Sequence, residues 1–209
     1  MKYDLVIFDF DGTLANTFDW FIGALNSLSD KYRYSKIDDQ EIEIIRSSNA
    51  HTLYKQRRIS RWKLAHIASD LRTLMAEDIE KIDLFDGVSS MLKTLAENHV
   101  KIGIVSSNSY ANIRKILGTQ NAAFIDYYEC GVSVLGKASK LRKILKKSGV
   151  NIVKAIFVGD ELRDIEASKK VGLPYGVVRW GYNDIHYLRK TGPNEEFDTV
   201  IDILKKMKG

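Results

Sequence analysis

Cysteine and proline are nearly missing from this chain. Its 209 residues include one cysteine, Cys130, and two prolines, Pro174 and Pro193. A single cysteine excludes a disulfide framework and any cysteine-rich zinc site. One unpaired thiol fits a reducing compartment, so a cytoplasmic location is expected. Two prolines leave no proline-rich linker. Long apolar runs are also missing. Leu5 to Phe8, Ile102 to Val105 and Ala155 to Val158 fall far short of the roughly 18 apolar residues that a bilayer span requires. The start, MKYDLVIFDFDG, carries acids where a signal peptide needs an apolar stretch, so no targeting segment is expected there. Neither an internal repeat nor a low-complexity segment occurs.

What remains is ordinary globular material. Hydrophobic residues make up 44% and charged residues 28%, a mix able to bury a core. Lys plus Arg number 32 against 27 for Asp plus Glu, a net charge of +5. That surplus suits an anionic partner, such as nucleic acid, a phosphorylated metabolite or a membrane surface, and equally a lysine-rich surface with no partner at all.

The short apolar runs are branched and continuous, the pattern of parallel strands buried on both faces. Strands are expected at Asp4 to Phe8, Lys101 to Val105, Tyr127 to Cys130, Ala155 to Val158 and Tyr175 to Val178. Amphipathic stretches lie between them at Val88 to Asn98, Tyr110 to Leu117, Lys137 to Ser148 and Arg163 to Val171. The alternation predicts an α/β fold with a doubly wound parallel sheet. Residues 16–84 break it. They show helical periodicity at Phe18 to Tyr32, Asp38 to Arg46 and Ser60 to Ile82, and no strand. A crossover needs only about a dozen residues, so 16–84 is expected to form an inserted helical subdomain. The α/β domain then comprises 1–15 and 85–209.

Ligands of such sheets bind beyond the carboxyl ends of the strands, and acids and small polar residues collect there. Asp9 and Asp11 leave the first strand two apart, so both carboxylates point to one side. Crowded together, one must meet a cation or hold a proton. Gly12 allows the sharp turn that follows. Ser106-Ser107-Asn108 follows the second strand and suits either an anion or a helix cap. Lys137 opens a helix after the third and would offset phosphoryl charge, with Lys140 as a neighbouring rival. Asp160 ends the fourth strand. Asp164 lies one helical turn on, and the pair suits a hard cation such as Mg²⁺ or a helix cap.

Taken together, Asp9-Phe10-Asp11-Gly12-Thr13-Leu14, Ser106, Lys137 and Gly159-Asp160 with Asp164 resemble the four motifs of the haloacid dehalogenase superfamily. The match is to its phosphatase branch with a small helical cap, including phosphoglycolate phosphatase-like enzymes. The resemblance spans nearly the whole chain. Asp86 departs from it, since relatives commonly carry proline before the glycine at position 87. The resemblance implies an aspartyl-phosphate on Asp9, with Asp11 as general acid and then base. It implies Mg²⁺ held by Asp9, Asp160 and the Asp11 carbonyl, with Asp164 orienting metal waters or Lys137. Ser106 and Lys137 would grip the phosphoryl oxygens, and Thr13, Ser107 and Asn108 would line the substrate. Dehalogenases of the superfamily lack an acid at the position of Asp11, because a halide leaves without a proton.

The insert holds 11 basic and 11 acidic residues, which leaves 21 against 16 for the remainder. Its segment His51 to Lys63 carries Lys55, Arg57, Arg58, Arg61 and Lys63 and no acid, and Arg57 and Arg58 are candidates for a second anionic group of the substrate. A solvated loop explains the same residues. Trp20, Phe21, Tyr54 and Trp62 read as packing within the insert, the four histidines as structural, and Cys130 as a small buried hydrophobe. The expected activity is Mg²⁺-dependent hydrolysis of a small phosphorylated metabolite, with neither nucleic acid nor membrane as partner. The rival readings are a phosphomutase on the same motifs and a non-catalytic basic protein that binds nucleic acid or another anion.

Overall fold

The computed structural model describes residues 1–47, 60–131 and 136–208. Six parallel strands form one sheet: β1 Leu5–Phe8, β2 Lys101–Val105, β3 Tyr127–Glu129, β4 Ala155–Gly159, β5 Tyr175–Val178 and β6 Glu195–Phe197. Their order is β3-β2-β1-β4-β5-β6. β1 is central and wholly buried, pairing Leu5 with both Lys101 and Ala155 and continuing in register through Phe8. Ten α-helices are described: α1 Phe18–Ser27, α2 Ser29–Tyr32, α3 Asp39–Ser47, α4 Arg61–Glu77, α5 Val88–Glu97, α6 Tyr110–Ala122, α7 Lys137–Ser148, α8 Leu162–Val171, α9 Ile185–Arg189 and α10 Val200–Lys208.

The alternating pleat divides the core into two layers. Val6 and Phe8 join Ile102, Ile104, Ile156 and Val158 under α5, α6 and α10. Leu5 and Ile7 join Ala155 and Phe157 under α7 and α8. This is why the strands read as unbroken apolar runs. β6 has no such signature, because it is a three-residue edge strand containing two glutamates. It was not expected from the sequence, and neither were α9 and α10.

Helices α1 to α4 occupy the region expected to be helical. Phe18, Ile22, Leu25, Leu28, Ile37, Ile45 and Ile67 form a separate apolar cluster there. The expected first helix breaks at Leu28 into α1 and α2. Ser60 caps α4 by accepting from the N–H of Lys63 at 3.3 Å. Trp62 corrects an expectation: it is 78% exposed, on the opposite side of α4 from the stripe containing Ile67 and Met75, with its ring 6.4 Å from that of His66. Trp20 is half-buried and donates its indole N–H to Asp78 at 3.0 Å. Cys130 falls just after β3 and is only half-buried; that partial burial pushes its thiol up to about 11. Arg57, Arg58, His51 and Tyr54 lie outside the described residues.

The chain enters and leaves the helical region side by side. Asn16 donates to the Asp83 carbonyl at 2.9 Å, Phe85 donates to the Leu14 carbonyl at 3.0 Å, and Ala15 and Leu84 form an antiparallel bridge. Gly87, after the second crossing, adopts φ 88° at the start of α5, a conformation glycine reaches without strain.

Candidate active site

The carboxyl ends of β1, β2 and β4 bring the chemistry-bearing side chains to one edge of the sheet. Asp9 follows β1, is 1% exposed, and fixes Oδ1 by accepting from the Phe10 N–H at 2.8 Å. Its Oδ2 lies 2.5 Å from Nζ of Lys137. The same ammonium is paired with Asp164. Lys137 is buried, whereas its sequence neighbour Lys140 turns away and pairs with Glu129 at 3.1 Å. The two lysines thus serve different carboxylates.

Asp160, at the end of β4, is fully buried. Its Oδ1 accepts from the Thr13 hydroxyl at 2.7 Å and its Oδ2 from the Tyr182 N–H at 2.8 Å. Thr13, expected among the substrate-lining groups, therefore spends its hydroxyl on Asp160. Asp164 reaches back to accept from the Glu161 N–H at 3.1 Å, closing a capping box at the start of α8. Oxygens of Asp9, Asp160 and Asp164 lie within 4.8 Å of one another. An all-oxygen set of this size fits a hard divalent cation. The Asp11 carboxylate lies outside this trio. It accepts from Ser106 at 3.3 Å and from Asn108 at 3.2 Å. Ser106 is buried and also accepts from the Asn108 N–H at 3.0 Å, while Ser107 is half-buried at the same turn.

Burial dominates the electrostatics. It pushes the Asp9 carboxyl up to about 7, against the pull of Lys137, and raises Asp160 well above the ordinary carboxylate range. Asp11 is raised for the same reason, although its bonds from Asn108 and Ser106 oppose the shift. Burial also disfavours the charged form of Lys137, but Asp164 and Asp9 outweigh it and hold the ammonium charged. Among the described residues, five carboxylates (Asp9, Asp11, Asp160, Glu161 and Asp164) share this region with two cations, Lys137 and Arg163. A negative surplus in so little water calls for a counter-ion.

Several contributors carried no sequence signal of their own. Glu161 and Arg163 pair inside the fourth motif. The loop after β5 supplies Gly181, Tyr182 and Asn183. A Cβ on Gly12 or Gly181 would overlap Asp160, and one on Gly159 would overlap Asp164. The one available cue was that β5 neighbours β4 in a parallel sheet, so its trailing loop must lie beside Asp160.

The family model of haloacid dehalogenase-like hydrolases matches residues 6–178, and the chain belongs to that family. It is 29% identical over 201 residues to a phosphoglycolate phosphatase of Synechococcus elongatus, covering 96% of this chain and 95% of the relative. A pyrophosphatase of Bacillus cereus is 21% identical over 211 residues, covering 98% and 96%. Among solved structures, a haloacid dehalogenase-like hydrolase from Streptococcus pneumoniae superposes with TM-score 0.80 at 17% identity, covering 98% of both chains. CbbY from Rhodobacter sphaeroides, in complex with phosphate, superposes with TM-score 0.74 at 19% identity, covering 96% of both. With phosphatases among its curated relatives, the protein is a phosphoric monoester hydrolase of this family. Phosphatases of this family generally use a divalent metal, and Asp9, Asp160 and Asp164 form an acidic cluster of a size that could hold one. Among the described residues, no helix is long and apolar enough to cross a membrane.

Proposed function

We propose that this protein is a Mg²⁺-dependent cytoplasmic phosphatase. It hydrolyses a small phosphoglycolate-like or sugar phosphate through an aspartyl-phosphate on Asp9. One observation carries the reading. Asp9 is buried between a lysine that holds its Oδ2 at 2.5 Å and two further carboxylates whose oxygens lie within 4.8 Å.

Lys137 positions Asp9 and opposes the protonation that burial favours there, and its ammonium offsets the charge of an incoming phosphoryl group. An Asp9 oxygen attacks phosphorus. The new P–O bond forms as the ester P–O bond breaks. Asp11 gives its proton to the departing alkoxide, and burial suits it to hold that proton beforehand. Asp11, now a carboxylate, then takes a proton from water. That water attacks phosphorus, the bond to Asp9 breaks, and inorganic phosphate leaves. Ser106, within reach of Asp11, orients both the acid and the phosphoryl oxygens. Asp9, Asp160 and the Asp11 carbonyl would hold Mg²⁺, with Asp164 anchoring Lys137. When bound, the cation supplies the neutralisation that lets two anions meet.

The test is a phosphate-release screen over phosphorylated metabolites, with and without Mg²⁺, using Asp9→Asn as the control. Expected are metal-dependent release from at least one compound and no turnover by Asp9→Asn. Release without metal, or normal turnover by the variant, would contradict the mechanism. Isomerised substrate in place of free phosphate would identify a mutase.

A further inference from the structure

Tyr182 touches both the metal-ligand cluster and the helical insert. Its backbone N–H donates to Oδ2 of Asp160 at 2.8 Å, while its phenol oxygen lies 2.9 Å from the hydroxyl of Thr17. Its ring packs edge-on against Phe18 at 5.0 Å and lies 5.5 Å from Phe21, both on α1. Although Tyr182 belongs to the loop after β5, its ring is part of the insert's apolar cluster.

Thr17 shows that the tie displaces an ordinary helix feature. It occupies the position before α1, where a threonine hydroxyl usually bonds a free N–H of the first turn. Here it makes no such bond, and its hydroxyl meets Tyr182 in a fully buried position. The residues around Tyr182 repeat the connection. Asp184 donates its N–H to the Arg46 carbonyl at 2.7 Å, and Asn183 donates its side-chain amide to the Ile45 carbonyl at 3.0 Å. Arg46, on α3, returns a bond to the Gly181 carbonyl at 3.4 Å, with its guanidinium 4.0 Å from the Phe18 ring. On the other side, Asn183 donates its N–H to the Asp160 carbonyl at 3.3 Å and accepts from the Leu162 N–H at 2.9 Å. Gly12 and Gly181 pack without room for a Cβ, so the loop has no slack against Asp160.

We propose that Tyr182 is a positioning residue that couples seating of the helical insert, through Thr17, to the orientation of the Asp160 carboxylate. The inference rests on Asp160 serving as a Mg²⁺ ligand. A shift of α1 must either break the Tyr182–Thr17 bond or pull on the loop that holds Asp160. Coupling of this kind is reciprocal, so a cation on Asp160 also favours the seated insert.

The test is Mg²⁺ binding to the substrate-free protein, measured by titration calorimetry on Thr17→Val, Tyr182→Phe, the double variant and Thr17→Ser. Each of the first two is expected to weaken Mg²⁺ affinity about five-fold. The double variant should be no worse than either single one, because both remove the same bond. Thr17→Ser, which keeps the hydroxyl, should bind like the parent. Hydrogen exchange of the α1 amides should slow on Mg²⁺ addition in the parent and less in Tyr182→Phe. A purely structural role would lower thermal stability and leave Mg²⁺ affinity unchanged. Unchanged affinity in both single variants, or additive losses in the double, would overturn the coupling alone. Failure of the parent protein to bind Mg²⁺ would overturn the functional reading beneath it.

Discussion

Lys137 Nζ lies 2.5 Å from Oδ2 of Asp9, although 128 residues separate the two in the chain. The same ammonium is paired with Asp164, so one buried cation serves two buried carboxylates. Replacing Lys137 with methionine leaves both acids without their partner. The expected loss of stability in metal-free protein is about 3–5 kcal/mol. Its pH dependence has a definite sign. Burial already raises Asp9 to about 7 in the folded state, above the value near 3.9 of an unfolded chain. The folded protein therefore binds more protons than the unfolded chain between those values. Stability falls as pH rises through that window. Without Lys137 the folded value climbs further, so Lys137→Met should gain more from acidification than the parent does. Thermal melts at pH 5 and pH 8 would show it.

The Asp11 carboxylate accepts from Ser106 and Asn108 rather than joining the trio of Asp9, Asp160 and Asp164. If its work is proton transfer, the cost of losing it depends on the leaving group. Asp11→Asn should lower kcat about 10²- to 10⁴-fold on an alkyl phosphate. On an aryl phosphate whose phenolate leaves without a proton, the loss should be far smaller. Equal losses on both substrates would remove the acid–base assignment.

Gly181 has no positive φ to excuse a glycine, so its constraint is space alone. An added Cβ would overlap the Cβ of Asp160. Gly181→Ala should leave a folded protein with more than about a hundred-fold lower kcat/KM, since a displacement of about 1 Å in a positioned group has that effect. Mg²⁺ affinity should fall alongside it. Near-normal kinetics would mean that Asp160 tolerates the displacement.

Glu129 makes a prediction away from the chemistry. It is buried at the end of β3, yet Lys140, Lys143 and Lys147 reach it at 3.1, 2.8 and 3.2 Å. Burial pushes its carboxyl up, but the three lysines prevail and hold it below its ordinary value. A lowered folded-state value contributes stability that is present above about pH 4.5 and lost as pH falls through the folded value. Glu129→Gln should therefore cost about 1–3 kcal/mol at neutral pH. The difference from the parent should close in acid. Denaturant melts at pH 7 and pH 3 give the comparison.

The strands β1, β2, β4 and β5 were legible because they lie inside the sheet and carry buried apolar runs, whereas β3, an edge strand of Tyr127, Tyr128 and Glu129, was legible only through its aromatic residues. β6 escaped because an edge strand needs only one apolar contact, and Phe197 supplies it between polar neighbours. The acids at the ends of β1 and β4 were legible because crowded carboxylates at strand ends have few structural uses. Tyr182 was not legible, since its part is played by a backbone N–H and by a hydroxyl meeting a residue 165 positions away. Trp62 was misread because aromatic content alone does not say which side of a helix it falls on.

The paired crossings at Leu14–Asn16 and Asp83–Phe85 carry a consequence for the history of such a chain. The polypeptide departs and returns at points one hydrogen bond apart. A short turn joining Ala15 to Leu84 would leave every strand of the sheet in its present order. The helical region can accordingly be lengthened, exchanged or reshaped by recombination at that doorway. The helices can then change while the carboxylates at the sheet edge stay where the strands put them.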